Sequence, residues 1–163
     1  MLSSSVLTLS TKSAQAGLSG HGDLVVDPNT GYAIYGYDPV AYFDLGQAVP
    51  GVHGVELQWH GAYWRFLHDG NLGAFKAHPD VYAPQFGGYD PLSLSRGYTT
   101  EGNPLHWIVQ SDQLFMFSTP VNRRIWLANP PRYLEEAKAA WGRLKVDGIG
   151  VPDPALNRLF SGG

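Results

Sequence analysis

The chain has 163 residues, of which 44% are hydrophobic and only 15% charged, at a net charge of −3. That is enough apolar chain for one domain with its own core and too little charge for a disordered one, and the scattered Lys and Arg leave no basic footprint for nucleic acid or an anionic membrane. The absence of cysteine excludes disulfides, thiolate metal sites and cysteine nucleophiles; it leaves the compartment open, because a protein without thiols is indifferent to redox poise.

Residues 1–20 form a Ser-, Thr- and Ala-rich tail. Ala14-Gln15-Ala16 looks like a signal-peptidase site, but no basic segment precedes it, and Val6-Leu7-Thr8-Leu9 is short and polar for the apolar region of a signal. The stretch reads either as a disordered tail or as the remnant of an export signal. No segment approaches the length and apolarity of a transmembrane span. One domain is expected over 21–145, followed by a Pro- and Gly-punctuated tail over 146–163, with a turn of helix at 154–160.

Within the domain, 24–26 and 32–35 read as short strands split by the turn cluster Asp27-Pro28-Asn29-Thr30-Gly31. Asp38-Pro39 then supplies an N-cap and a first-turn proline to a short helix with Val40, Tyr42 and Phe43 as its apolar body. Residues 55–67 carry the clearest pattern. Val55, Leu57 and Trp59 alternate with Glu56, Gln58 and His60, and a two-residue turn at His60-Gly61 sets Trp59 against Ala62, Leu57 against Trp64 and Val55 against Phe66. The opposite face then pairs Glu56 with Arg65, a cross-strand ion pair. Asp69 is expected to cap the next helix, with Leu72 and Phe75 turned inward.

Asp90-Pro91 repeats the cap-and-proline device for a helix over 92–95. A second hairpin over 107–117 turns at Ser111-Asp112, which sets Val109 against Leu114, Trp107 against Met116 and His106 in register with Phe117; Ile108 and Phe115 fall on the other face, so this hairpin is expected to be covered on both sides. Thr119-Pro120 opens a helix with Val121, Ile125 and Ala128 inward. Asn129-Pro130 caps a second one with Leu134, Ala137, Trp141 and Leu144 at three- and four-residue steps. The doubled Gly-Tyr-Asp-Pro, at Gly36 and Gly88, reads as too short for a repeat. The expected architecture is a small single α+β domain, two antiparallel β-hairpins packed by short helices and a C-terminal helix pair.

The series Trp59, Gly61, Tyr63, Phe66-Leu67-His68, Asn71, Phe75, Pro79 and Tyr82 resembles the YHS domain family in its spacing. Upstream, 36–43 reads Gly-Tyr-Asp-Pro-Val-Ala-Tyr-Phe, and downstream lie Gly87-Gly88-Tyr89, Trp107 and Trp141; with these the resemblance covers roughly 31–141 and extends to the longer bacterial members, often exported. It implies a periplasmic or secreted protein, with a cytoplasmic one as the alternative. Metal-binding members carry thiols where this chain has Leu67 and Asn71, so the resemblance implies a cysteine-free variant that does not bind soft metals in their manner.

The remaining polar residues supply two candidate constellations. Of the six histidines, His60 and His68 are candidate ligands for a divalent metal ion together with Asp90, against the plainer reading of a turn residue and a helix-start residue. His78 reads as a helix-end residue and His106 as a hydrogen-bonded structural histidine. Tyr37, Asp38, Tyr89 and Asp90 are candidate ligand-binding residues around one polar pocket, against the plainer reading of Asp38 and Asp90 as two helix caps. The five tryptophans read as core. No nucleophile motif, phosphate loop or dinucleotide fingerprint occurs. The expectation is a small non-catalytic binding module that holds a metal ion or small ligand through His, Asp and Tyr; the alternative is a protein–protein interaction module with no bound ligand.

Overall fold

A computed structural model describes residues 22–147. The tails expected at the two ends lie outside the described residues, save 146 and 147, which end the last helix. The first hairpin, β1 (Glu56–Trp59) and β2 (Ala62–Arg65), has the register read from its alternation: Trp59 pairs with Ala62, Leu57 with Trp64 and Glu56 with Arg65. His60 and Gly61 turn the chain at φ of 49° and 77°, the left-handed pair that a tight hairpin needs. The second hairpin, β3 (Asn103–Gln110) and β4 (Gln113–Phe117), pairs Trp107 with Met116 and Val109 with Leu114, also as expected. It is longer than read, and an irregularity between Asn103 and Trp107 puts Asn103, not His106, opposite Phe117. Alternation carries no signal for a bulge of this kind.

Six helices surround the hairpins: α1 (Ala41–Asp44), α2 (Asp69–Ala77), α3 (Pro79–Tyr82), α4 (Pro91–Ser95), α5 (Pro120–Trp126) and α6 (Pro130–Asp147). The cap of α2 is His68, one residue before the expected Asp69; its Nδ1 accepts from the Asn71 N–H at 3.2 Å. In α5 the inward residue is Trp126, 1% exposed, while Val121 is half exposed and Ala128 lies at the surface. A two-turn helix leaves too few residues for periodicity to choose its buried face. The longer α6 follows its pattern, with Ala137 and Leu144 buried and Leu134 and Trp141 packed beside them.

The fold is a tandem of two copies of one unit, so the doubled Gly-Tyr-Asp-Pro marks a structural repeat after all. Each copy opens with a left-handed turn (Ile34, Tyr35 and Gly36 at φ 44°, 57° and 77°; Phe86, Gly87 and Gly88 at 55°, 60° and 86°). Each then runs through Tyr-Asp-Pro into a short helix, α1 or α4, and returns past a glycine whose N–H donates to the turn: Gly51 to the Gly36 carbonyl, Gly102 to that of Gly88, both at 2.9 Å. A hairpin and a further helix complete each unit. Phe66 and Phe117 end the two hairpins, and Phe75 and Trp126 are the buried aromatics of α2 and α5.

The copies stack head to tail. Trp64, Phe66 and Phe75 form the first core with Val40 and Tyr42, and the β3–β4 face carrying Leu114 and Met116 closes it. Phe115 and Phe117, on the opposite face of β4, build the second core with Leu94 and Trp126, which α6 closes through Ala137 and Leu144. The second hairpin is thus apolar on both faces, as its sequence predicts. The first hairpin turns its outer face to solvent. There Glu56 and Arg65 form an ion pair at 2.8 Å, and Tyr32 joins them by hydrogen bonds to both and by a ring face 3.9 Å from the guanidinium.

Candidate functional site

The Tyr-Asp-Pro aspartates are fully buried, and each is the hub of its own unit. Asp38 Oδ1 accepts from the N–H groups of Val40 and Ala41 at 2.8 and 3.4 Å, so it holds the turn that leads into α1, whose N-cap position is Val40 and not the expected Asp38. Its second oxygen, Oδ2, accepts from the Leu67 N–H and from Asn71 Nδ2, both at 2.7 Å. Asp90 repeats the arrangement: Oδ1 caps α4 through Leu92 and Ser93, and Oδ2 accepts from the Ser118 N–H, the Ser118 hydroxyl and Asn122 Nδ2 at 2.8, 2.6 and 2.7 Å. One oxygen of each carboxylate starts a helix, and the other ties that helix to the end of the unit's hairpin and the start of the next helix.

Asp38 and Asp90 therefore share no partner, and each carboxylate has its acceptor sites filled from within the protein. Nor are their tyrosines drawn to a common centre. Tyr37 is half-buried with its backbone bridged to Pro50; Tyr89 is bridged to Glu101, and its hydroxyl donates to the Gly22 carbonyl at 3.3 Å. Burial, then the charges of Glu101 and Asp23, raise the Tyr89 phenol above its ordinary range.

His60 sits exposed at the first hairpin's tip, stacked on Trp59 with ring centroids 4.0 Å apart, and His68 is the α2 cap. Among the described residues no three His, Asp or Glu side chains are grouped so as to hold a metal ion, so His60, His68 and Asp90 form no common centre. The chemistry at the two positions where the resemblance implies thiols is the reverse of a ligand set. Leu67 and Asn71 each present an N–H to Asp38, and donors aimed inward repel a cation.

An open cleft of about 430 Å³ lies along the seam between the copies, lined by Tyr42, Gly46, Leu105, Trp107, Ile108, Val109 and Arg123. That volume falls in the range of small-molecule sites. Tyr42, from α1, meets Trp107, from β3, edge to face at 5.0 Å. The Tyr42 hydroxyl donates to the Pro104 carbonyl at 3.0 Å, and burial holds its phenol far above the ordinary range, so it serves as a fixed donor inside the wall. Leu105 is 59% exposed, the most exposed large apolar side chain among the described residues. Arg123, on α5, supplies the one charged group in the lining. Of these residues only Tyr42 and Trp107 belong to segments that carry the family resemblance, and neither marked a cleft. Only the stacking of one copy on the other creates the cleft, and the one sequence signal, the returning Tyr-Asp-Pro, is silent about where the copies meet.

The chain was compared with protein-family models, with curated proteins and with solved structures, and none matches. No helix among the described residues is long and apolar enough to cross a membrane.

Proposed function

We propose that this protein is a small non-catalytic binding module, of the YHS type that its motif spacing resembles, and that it holds a small organic ligand in the cleft at the seam of its two copies. The observation that carries the reading is the cleft itself: side chains from β3, an aromatic pair at 5.0 Å and one charged group, on a surface about equally polar and apolar. Small-ligand sites likewise combine apolar and aromatic side chains with a few fixed polar groups. A metal ion as the ligand finds less support, since the buried aspartates have their oxygens satisfied by protein donors.

The test is a ligand-observed NMR screen of small metabolite-like compounds against the full chain and against Leu105→Trp. Leu105 is already exposed, so the indole fills the cleft without disturbing the core. Binding in the wild type that Leu105→Trp loses, at an unchanged melting temperature, is expected. An empty screen, or equal binding by Leu105→Trp, sinks the reading. It would favour an interaction module with no bound ligand, for which the solvent-facing first hairpin, with Tyr63 49% exposed, is the available surface.

A further inference from the structure

The seam cleft has its charged group where the other copy has an apolar one. In the first unit, Asn71, whose amide holds Asp38, is followed by Leu72, half-buried against the first core, as is Leu57 of β1. In the second, Asn122 holds Asp90 and is followed by Arg123. The corresponding hairpin residue is Ile108, so the seat that Leu72 closes in the first unit is open in the second and rimmed by a guanidinium.

We propose that Arg123 is the anion-receiving group of the cleft, and that the ligand is an apolar or aromatic body carrying a single carboxylate. The inference rests on the reading of the cleft as a ligand site. Three observations support the charge. Among the described residues the Arg123 side chain has no ion pair and no hydrogen bond, a state it shares with Arg96, Arg124 and Arg143, but of these Arg123 alone lines the cleft. The cleft lining contains no acidic residue. The Tyr42 hydroxyl in the wall is committed to Pro104, which leaves the Trp107 indole N–H as a neutral donor beside the guanidinium. An entering ligand therefore meets apolar and aromatic surface from Leu105, Trp107, Ile108 and Val109 and a single cationic fork, whose planar donors match a carboxylate in two parallel hydrogen bonds. A phosphate ester, with about two charges and three acceptor oxygens to satisfy, would leave most of its demand unmet by one arginine.

The test uses the full chain, 15N-labelled, with 3-phenylpropionate, its neutral isostere 3-phenylpropanamide, and phenyl phosphate, read at the Trp107 indole N–H and the Arg123 side chain. The carboxylate is expected to bind saturably and up to about fivefold tighter than the amide, the worth of one partly exposed ion pair, and tighter than the phosphate. Arg123→Leu, which places the first copy's residue in the second, should erase that preference and leave amide binding intact; Arg123→Lys should keep part of it. Unshifted resonances outside the cleft show that both variants fold. Equal affinity for acid and amide, a tighter phosphate, or a preference that survives Arg123→Leu overturns the inference and leaves the ligand site standing. If neither acid nor amide moves Trp107, the ligand-site reading fails and this inference fails with it.

Discussion

Replacing Asp38 by Asn separates two roles that one carboxylate combines. Asn caps a helix about as well as Asp, so a residue that served only α1 would lose a few tenths of a kcal/mol. The structure demands more, because Oδ2 faces two donors at 2.7 Å, the Leu67 N–H and Asn71 Nδ2. In Asp38→Asn an NH₂ group stands there instead. The Asn71 amide can turn over and offer its oxygen, but the Leu67 N–H belongs to the backbone and cannot. One charge-assisted bond is lost and one backbone donor is left facing another, for a cost of about 2–4 kcal/mol, a large share of the stability of a domain this size. Asp90→Asn should cost no more. It too leaves a backbone donor, the Ser118 N–H at 2.8 Å, facing an amide, but the Ser118 hydroxyl, now 2.6 Å from Oδ2, can reverse and accept from the new amide, and Asn122 already has a second acceptor in Ser118 Oγ at 3.1 Å. Urea unfolding of both variants measures the difference. If both lose under about 1 kcal/mol, the aspartates are caps and no more; if Asp90→Asn loses more than Asp38→Asn, the role given to the Ser118 hydroxyl is wrong.

Other outcomes follow from single contacts. Burial alone would raise the Glu56 carboxyl, but hydrogen bonds from Tyr32 and Arg65 and the Arg65 charge outweigh it and hold it below its ordinary 4.5. The ion pair therefore adds stability that is present above that pH and drains away as pH falls through the lowered value; Glu56→Gln should be less stable than wild type by up to about 1 kcal/mol at pH 7, with the gap closing in acid, as melting curves across pH 2–7 would register. Gly51→Ala and Gly102→Ala should each lose about 1–3 kcal/mol, since a Cβ at Gly51 would stand 2.5 Å from the Arg65 backbone and one at Gly102 2.4 Å from the Gly88 carbonyl. Gly73→Ala is the control: it lies inside α2 with open space around it and should gain about 0.5–1 kcal/mol. Zn²⁺ offered in competition with a moderate chelator should not be retained stoichiometrically; retention at nanomolar free metal would restore His60 or His68 as ligands.

Hairpins were the most legible part of the sequence, because strict alternation and a two-residue turn leave one register that satisfies both faces. Trp59 with Ala62 and Trp107 with Met116 follow from that alone. Short helices were less legible: α5 offers two turns, and the choice between Val121 and Trp126 as its inward residue depends on which core lies beneath. The duplication was written in residues too sparse to notice one at a time. Tyr-Asp-Pro returns, and so does a hairpin-ending Phe followed five residues later by Asn, at Phe66 and Asn71 and again at Phe117 and Asn122. The aspartate's second oxygen is what requires that Asn. Tertiary hydrogen bonds of this kind link segments far apart in the chain, and no local pattern announces them. The cleft was least legible, since it belongs to neither copy.

The two copies differ where their neighbours differ, and this explains which residues changed and which did not. Asp38 and Asp90, with Asn71 and Asn122, work inside a unit, so both copies keep them. Tyr35 and Gly87 occupy the same place in the left-handed turn, but a Cβ at Gly87 would lie 1.8 Å from the Asp23 carbonyl, where the incoming segment crosses and Val25 donates to the Gly87 carbonyl. Among the described residues no segment crosses Tyr35, 42% exposed, so a side chain fits. The hairpins' outer faces diverge for the same reason. Leu114 and Met116 cover the first core, while Tyr63 and Arg65, their counterparts, meet water. In a stacked array the terminal faces must be made polar or covered. Here one end is closed by the Tyr32–Glu56–Arg65 cluster and the other by α6. Arg123 in place of Leu72 fits neither an internal role nor a cap: it opens a seat at the seam and sets a charge on its rim. Neither role explains it, which is the reason to look for a ligand there.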